Sequence, residues 1–311
     1  MRTGNLLTSL NIEWREFAPL LKEFPDGLVA LDIETTGLSP LVDRIIELAA
    51  YKIKQGKIEV WQELINPNRE IPENTIKIHG IDQQMVENRP KLEEFWDDFL
   101  QFTEGLPLIA HNAKFDVGFL VFASHQLKKE LGPRKVYCTV KASRKAFPSL
   151  ENHKLSTITK SLKIDLENHH RAADDALACM RVFNEALIAG PISKILKESY
   201  LFNTKDFYSK NLKKLPAKLS LLVKKVERQT VIDIKYSGGS HKGKYRPIKP
   251  ISLLPMPGGN VLYALCLLTN LHKSFAISKI TEVKELKANE IAERFENLKS
   301  LKQNGALNSG V

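Results

Sequence analysis

Leu28-Val29-Ala30-Leu31-Asp32-Ile33-Glu34-Thr35-Thr36-Gly37 is an apolar run that breaks on two carboxylates and a Thr-Thr-Gly stop. A short apolar run closed by a turn signal reads as a buried strand. Residues i and i+2 of a strand point to one face, so Asp32 and Glu34 project together from the end of a core strand. Two neighbouring carboxylates repel, and desolvation sharpens the repulsion. Two readings are open at this point. One acid is a turn or capping residue and the other is solvated, or a divalent cation takes both as hard oxygen ligands.

The chain has 311 residues, room for one large or two ordinary domains. Its hydrophobic share of 43% and charged share of 26% are those of a globular protein. The longest apolar run, Val261 to Leu268, is far short of a membrane span, so no membrane association is expected. The first residues have no long apolar core, and no signal peptide is expected. Cys138, Cys179 and Cys266 are scattered without a CxxC pair, which predicts reduced, mostly buried thiols in a cytoplasmic protein.

The net charge of +10 is unevenly placed. Residues 1–189 carry 24 Lys/Arg against 27 Asp/Glu, and residues 190–311 carry 22 against 9. This asymmetry suggests two domains, the second facing a polyanion; a lysine-rich surface kept for solubility is the alternative.

Outward from the opening strand, Trp14, Phe17, Leu20, Leu21 and Phe24 have helical spacing, so residues 1–24 read as a helical extension. Ile45 to Ile53 and Ile58 to Ile65 complete an antiparallel meander. Leu92, Phe95, Trp96, Phe99 and Leu100 fall at i, i+3, i+4, i+7 and i+8, an amphipathic helix. A strand at 105–112 ends in His111 and Asn112, and a helix starts through Phe115 and Asp116. Val136 to Val140 reads as a strand, Leu155 to Leu162 as a short helix, and a longer helix begins at His169-His170 and ends near Gly190-Pro191. Residues 25–190 therefore form one layered α/β domain. Residues 191–228 read as a basic, partly helical linker, with Leu212, Leu215, Leu219, Leu222 and Val226 suggesting the helix. From Gln229 the period changes to two, and short strands at 231–236, 245–254, 261–268 and 274–280 suggest a small barrel over 229–284. Residues 285–311 read as a helix and a flexible tail.

Asp-Ile-Glu-Thr-Thr-Gly, His-Asn-Ala-Lys-Phe-Asp and His-Arg-Ala-Ala-Asp-Asp-Ala stand in that order at 32–37, 111–116 and 170–176. These three segments resemble the exonuclease motifs of the DEDD superfamily. The histidine five residues before the last aspartate resembles the DEDDh branch, that of the epsilon proofreading subunit of bacterial DNA polymerase III and of ribonuclease T. The resemblance runs from about Gly27 to Leu187 and includes Ile78-His-Gly-Ile81. It implies a ribonuclease H-like mixed sheet with flanking helices. It also implies that Asp32, Glu34, Asp116 and Asp175 bind two Mg²⁺ or Mn²⁺ ions, with His170 as general base. By the same register the roles fall to Asp175 and His170, not to Asp174 and His169. His170 is expected on the loop just before the last helix. Thr35, Thr36, Gly37, His79, His111, Asn112 and Phe115 are candidates for substrate contact, with a structural role the alternative for each. The residue types suit phosphodiester hydrolysis: cations held by several carboxylates compensate the charge of the attacking and leaving oxygens, and a histidine accepts a proton near neutrality.

Residues 229–284 resemble a WYL domain, a small SH3-like or Sm-like β-barrel, through 231–236, 245–254, 261–265 and 273–280. The Trp-Tyr-Leu that names the family is replaced by Val261-Leu-Tyr263. The resemblance implies binding of nucleic acid or a charged ligand, with Arg246, Lys249, Tyr263 and Lys279 as candidates. A packing or dimerisation module, and with it a homodimer, is the alternative. The expectation from the whole chain is a cytoplasmic, metal-dependent 3′–5′ exonuclease acting on DNA, with single-stranded 3′ ends as its partner. An RNA-trimming exonuclease is the second enzyme reading, and a nucleic-acid or ligand regulator with the first domain as scaffold is the third. A polymerase partner is not expected, because the barrel stands where the epsilon subunit has its polymerase-binding tail.

Overall fold

The computed structural model describes residues 13–38, 40, 43–164, 171–207, 222, 230–239, 241–254, 261–287 and 289–292. The chain divides into two compact units, Met1–Asp206 and Phe207–Val311.

In the first unit a 3-10 turn, Trp14–Phe17, runs into α1 (Ala18–Glu23), and its Phe17, Leu20 and Phe24 are core residues. β1 (Leu28–Thr35), β2 (Ile45–Lys54) and β3 (Lys57–Leu64) form the expected antiparallel meander. Then follow α2 (Glu73–His79), α3 (Gln83–Val86), α4 (Leu92–Thr103), β4 (Leu108–Ala110), α5 (Lys114–Leu127) and β5 (Lys135–Cys138). The unit closes with α6 (Thr139–Ala146), α7 (Leu155–Leu162), α8 (Ala172–Ala189), α9 (Ile192–Ser199) and β6 (Tyr200–Asn203). The six strands make one mixed sheet in the order β3-β2-β1-β4-β5-β6. β4 runs parallel to β1 and to β5, and the outer neighbours are antiparallel.

The two faces of this sheet are separated by the two-residue period. Leu28, Ala30, Tyr51 and Ile53 pack with Ala176, Cys179 and Phe183 of α8. Ala172, Ala176 and Cys179 are fully buried, and such small side chains let α8 lie close over the sheet. On the other face Trp61, paired with Ala50, meets Phe95 and Phe99 of α4 at ring distances of 6.2 and 5.5 Å. Helices on both faces explain why β1 and β2 read as nearly continuous apolar runs.

Two segments differ from the sequence reading. Val140 belongs to α6, because the strand ends at Cys138 and the helix starts immediately. Residues 192–206, read as the start of a linker, belong with the first sheet. β6 pairs with β5, Phe202 is buried, and Thr204 exchanges backbone and hydroxyl hydrogen bonds with Arg134. Four strand residues directly after a lysine-bearing helix are too few to show a period of two.

The second unit holds an antiparallel five-stranded sheet in the order β10-β9-β8-β7-β11. Its strands are β7 (Ile232–Tyr236), β8 (Tyr245–Leu254), β9 (Val261–Cys266), β10 (Leu271–Ala276) and β11 (Ile280–Glu285). Ile232, Ile234, Ile248, Leu262, Ala264 and Phe275 form its core with Leu222. The run read as one strand at 274–280 is two: a 3-10 turn at Ile277–Lys279 sends β11 to the opposite edge of the sheet, beside β7. No glycine or proline marks that turn, and its apolar residues continue into the core. β9 ends at Cys266, short of the expected Leu268. Residues 1–12, His169, His170, Leu212, Leu215, Leu219, Val226 and residues 293–311 lie outside the described residues.

Candidate active site

Asp32 and Glu34 sit at the end of β1 on the face that α8 covers. Asp175 lies in the first turn of α8, its amide donating to Arg171 O at 3.1 Å. One carboxylate oxygen from each of Asp32, Glu34 and Asp175 lies within 4.8 Å of the others. Asp174, its neighbour in sequence, is not part of this group.

Asp116 enters from the other layer. Asn112, at φ +64°, turns the chain from β4 toward α5, and Asp116 falls in the first helical turn, where a helix favours negative charge. It is 2% exposed, and its Oδ2 has no hydrogen-bond partner among the described residues. Burial pushes its carboxyl up to about 8, against two backbone hydrogen bonds that pull it down, and Asp175 adds to the rise. Burial also pushes Asp32 well above the usual carboxylate range, with Asp116, Asp175, Glu34 and Glu47 adding to it. Glu34 rises to about 8, through burial first and then Asp175, Glu47 and Asp116, and Arg171 opposes the rise. Three acids that resist ionisation, one of them with an oxygen lacking a donor, stand beside Asp175, and together they have the chemistry of a donor set for a hard divalent cation. Such a set fits magnesium or manganese chemistry and needs cations to hold all four charges.

The Thr-Thr-Gly stop is a built turn. Thr36 donates its amide to Arg44 O at 2.9 Å, and its hydroxyl accepts the Arg44 amide at 3.0 Å. Thr35 Oγ1 donates to Gly37 O. A Cβ on Gly37 would stand 2.5 Å from the Asp43 carboxylate, which would have to shift to admit any larger residue there. His79 is buried at the end of α2, and its Nδ1 accepts the Ile81 amide at 3.0 Å. His111 is pinned by Thr139 Oγ1 at 2.8 Å and His153 O at 3.0 Å, and burial pushes its ring down to about 4. Phe115 packs on Phe119 with ring centroids 5.1 Å apart. His79, His111 and Phe115 thus have local structural contacts, whereas Asn112 is exposed. His170 lies outside the described residues.

Sequence reasoning missed Glu47 and Arg171. Glu47 is fully buried on β2, directly across from Glu34, and accepts from the Arg171 guanidinium, from the Ala172 amide and from Gln62. An acid inside an apolar strand run and an arginine inside a motif are each too ordinary to single out. A cavity of about 580 Å³ lined by Arg44, Arg69, Lys91 and Leu127 opens between α4 and α5, on the sheet face away from α8, and contains none of the four acids.

In the second unit two expected binding residues are interior. Arg246 is 5% exposed; its Nη1 donates to Cys266 Sγ at 3.2 Å and its guanidinium stands 5.8 Å from the Phe275 ring centre. Arg246 shares a face with Ile234, and that face is the core, so this candidate for binding nucleic acid or a charged ligand is an interior residue. Tyr263 is likewise buried, at 7% exposure, whereas Lys249 and Lys279 are exposed.

A mixed α/β sheet gathers three acids at the end of its central strand, with a fourth buried acid acting on them, an arrangement that could hold a divalent cation. Residues 29–183 match the exonuclease family typified by RNase T, and the chain belongs to that family. Residues 29–183 thus form an exonuclease domain. A PolC-type DNA polymerase III from Caldanaerobacter subterraneus subsp. tengcongensis is 40% identical over 160 residues, 51% of this chain and 11% of that protein. The Clostridium perfringens PolC-type DNA polymerase III is 36% identical over 196 residues, 63% of this chain and 14% of that protein. The chain thus spans a small part of the length of these relatives. The solved structure of E. coli exonuclease I in complex with a dT13 oligonucleotide is 16% identical, with a TM-score of 0.49 over 89% of this chain and 71% of that one. Among the described residues no helix is long and apolar enough to cross a membrane.

Proposed function

We propose that the chain is a cytoplasmic 3′–5′ exonuclease that hydrolyses DNA from single-stranded 3′ ends with two divalent cations. The observation that carries this is the meeting of Asp32, Glu34 and Asp175 beside the buried Asp116. These four would hold Mg²⁺ or Mn²⁺, and bound cations supply charge compensation to the attacking and leaving oxygens. Asp32 and Glu34 orient from a rigid central strand, while Asp116 and Asp175 close on them from helices on opposite faces. His170 accepts the proton of the attacking water, a role suited to a group with an ordinary value near 6.5. The Thr35–Gly37 turn, closed by its own hydrogen bonds to Arg44 and Gly37, fixes the end of the strand that carries Asp32 and Glu34. DNA is favoured over RNA because the relatives quoted are DNA polymerases by name.

The sheet order β3-β2-β1-β4-β5 with an antiparallel β2 supports a ribonuclease H-like fold. For the second unit, β8 pairs with β7 over Tyr245–Ile248 and with β9 over Ile248–Leu254, and a bulge at Pro250/Ser252 bends it within the β9 pairing. That bend supports a small SH3/Sm-like, WYL-like barrel. Its surplus of cations, with Lys249 and Lys279 exposed, supports contact with the phosphate backbone. The test is a degradation assay with end-labelled single-stranded DNA, mismatched duplex and RNA, with Mg²⁺, Mn²⁺ or chelator. Stepwise shortening of the DNA from its 3′ end, abolished by chelator, is expected. Cleavage in excess chelator, or of RNA alone, would overturn the reading.

A further inference from the structure

The head of α8 is fastened to β2 by a fifth acid that does not join the others. Glu47 is fully buried in the middle of the sheet and lies across the β1–β2 ladder from Glu34. An unpaired carboxylate there would be costly and would crowd the acid group. Glu47 meets three donor groups. Arg171 reaches Oε1 through Nη2 at 2.8 Å and through Nε at 3.2 Å, with a third contact from Nε to Oε2 at 3.3 Å. The Ala172 amide donates to Oε2 at 3.0 Å, and Gln62 Nε2 donates to Oε1 at 2.7 Å.

These contacts do two things to α8. Arg171 is its N-cap residue and supplies no side-chain cap, so the Glu47 carboxylate takes one of the orphan amides from across the sheet. The guanidinium fork then fixes the direction from which the chain enters the helix. Asp175 is one turn further on, roughly 6 Å along the axis at about 1.5 Å per residue. One rung of the ladder therefore carries both Glu34, in the acid group, and Glu47, which anchors the helix bearing Asp175.

We infer that Glu47 and Arg171 are positioning residues that hold Asp175 against Asp32 and Glu34, and so set the affinity of the site for divalent cation and the turnover it supports. The pair does this without touching the cation. The inference rests on the exonuclease reading for its turnover part, and on the acid group alone for its cation part.

The test uses the full chain with Glu47→Gln and Arg171→Lys. Glutamine keeps an oxygen for the Ala172 amide and loses the ion pair; Arg171, 38% exposed, can then turn to water. Outer partners of ligating carboxylates are worth roughly 10–100-fold in cation affinity or activity. Glu47→Gln is expected to lower kcat and raise the half-saturating Mn²⁺ concentration by about that factor, with KM for a short single strand within about twofold. Arg171→Lys, which keeps the charge and loses the fork, should fall between it and the parent. Values of kcat and Mn²⁺ half-saturation in both folded variants equal to the parent's would overturn the inference. So would a loss of activity matched by the loss of folded protein. If Glu47→Gln fails to fold, Arg171→Lys carries the same comparison. The Mn²⁺-induced rise in melting temperature is read in parallel on all three proteins. A parent that shows this rise but cleaves nothing sinks the exonuclease reading and leaves the clamp decided by whether the rise shrinks in the variants. A parent with no such rise overturns both.

Discussion

At the end of β1 four acids face one another; in the core of the second unit one guanidinium lies on a thiol and a ring. Both are costly placements of charge, and they differ in what surrounds them. The acids are crowded by like charge, so Asp32, Glu34 and Asp116 are pushed up. Their arrangement becomes favourable only with cations present. Arg246 has soft partners instead, Cys266 Sγ and the Phe275 face, and is held as part of the packing. Burial pushes the Cys266 thiol up, but hydrogen bonds from Thr269 and Arg246 outweigh it and leave the thiol lowered. A buried charge marks a binding site where its neighbours share its sign, and a structural pair where they compensate it.

The largest expected effect breaks the first member of this comparison. Asp32→Asn or Asp116→Asn should lower single-turnover cleavage by on the order of 10²–10³-fold or more, as for loss of one preorganised electrostatic group. Each should leave the metal-free fold as stable as before or more so, because a repelling charge has gone. An aspartate whose removal unfolded the protein in chelator would be structural, like Arg246. His170→Ala should cost roughly 10²–10⁴-fold in turnover, the worth of a general base, while keeping Mn²⁺ binding; His169→Ala should cost little. Equal losses in the two histidine variants would shift the register of the third motif.

A smaller effect separates the two buried charges by pH. Glu34 rises in the fold from its ordinary 4.5 to about 8. Below 4.5 the group is protonated folded or unfolded, and between the two values only the unfolded chain ionises it. The stability of the metal-free protein should therefore fall as pH rises from 4.5 to 8. Thermal melts in chelator across that window should show the fall, and Mg²⁺ should offset it above neutrality. Melts flat with pH would contradict the crowding of the acids.

The smallest effects belong to the second unit. Arg246→Ala should destabilise it by about 2 kcal/mol, through lost packing in a core. Arg246→Met, which refills the space without a buried charge, should recover most of that. Neither should change the salt dependence of binding to a single strand of roughly 20 nucleotides, whereas Lys249→Ala or Lys279→Ala should each reduce that slope by about one. A change of slope in Arg246→Met would return Arg246 to the surface.

The parts of this molecule that could be read in advance are those with a local signature. The Leu28–Thr35 strand announces itself by its apolar run, its i, i+2 acids and its Thr-Thr-Gly stop. The helix at Leu92 shows its period through Trp96 and Phe99. What could not be read depends on contacts distant in sequence. β6 exists because Thr204 and Phe202 find Arg134 and β5, some seventy residues earlier. Glu47 is an anchor only because Arg171, 124 residues away, folds onto it. Arg246 enters as a binding candidate through the likeness of 245–254 to a WYL domain, not through its own surroundings. Its face was decided by register with Ile234, which the residue types alone do not set.

The central claim is that Asp32, Glu34, Asp116 and Asp175 together hold divalent cations. Anomalous diffraction from crystals of the full chain grown with Mn²⁺ tests it most directly. The account predicts manganese bound by oxygens of Asp32, Glu34 and Asp175, with Asp116 as a ligand to the same cluster. Manganese absent from that group at millimolar concentration, or seated only elsewhere on the chain, would contradict it.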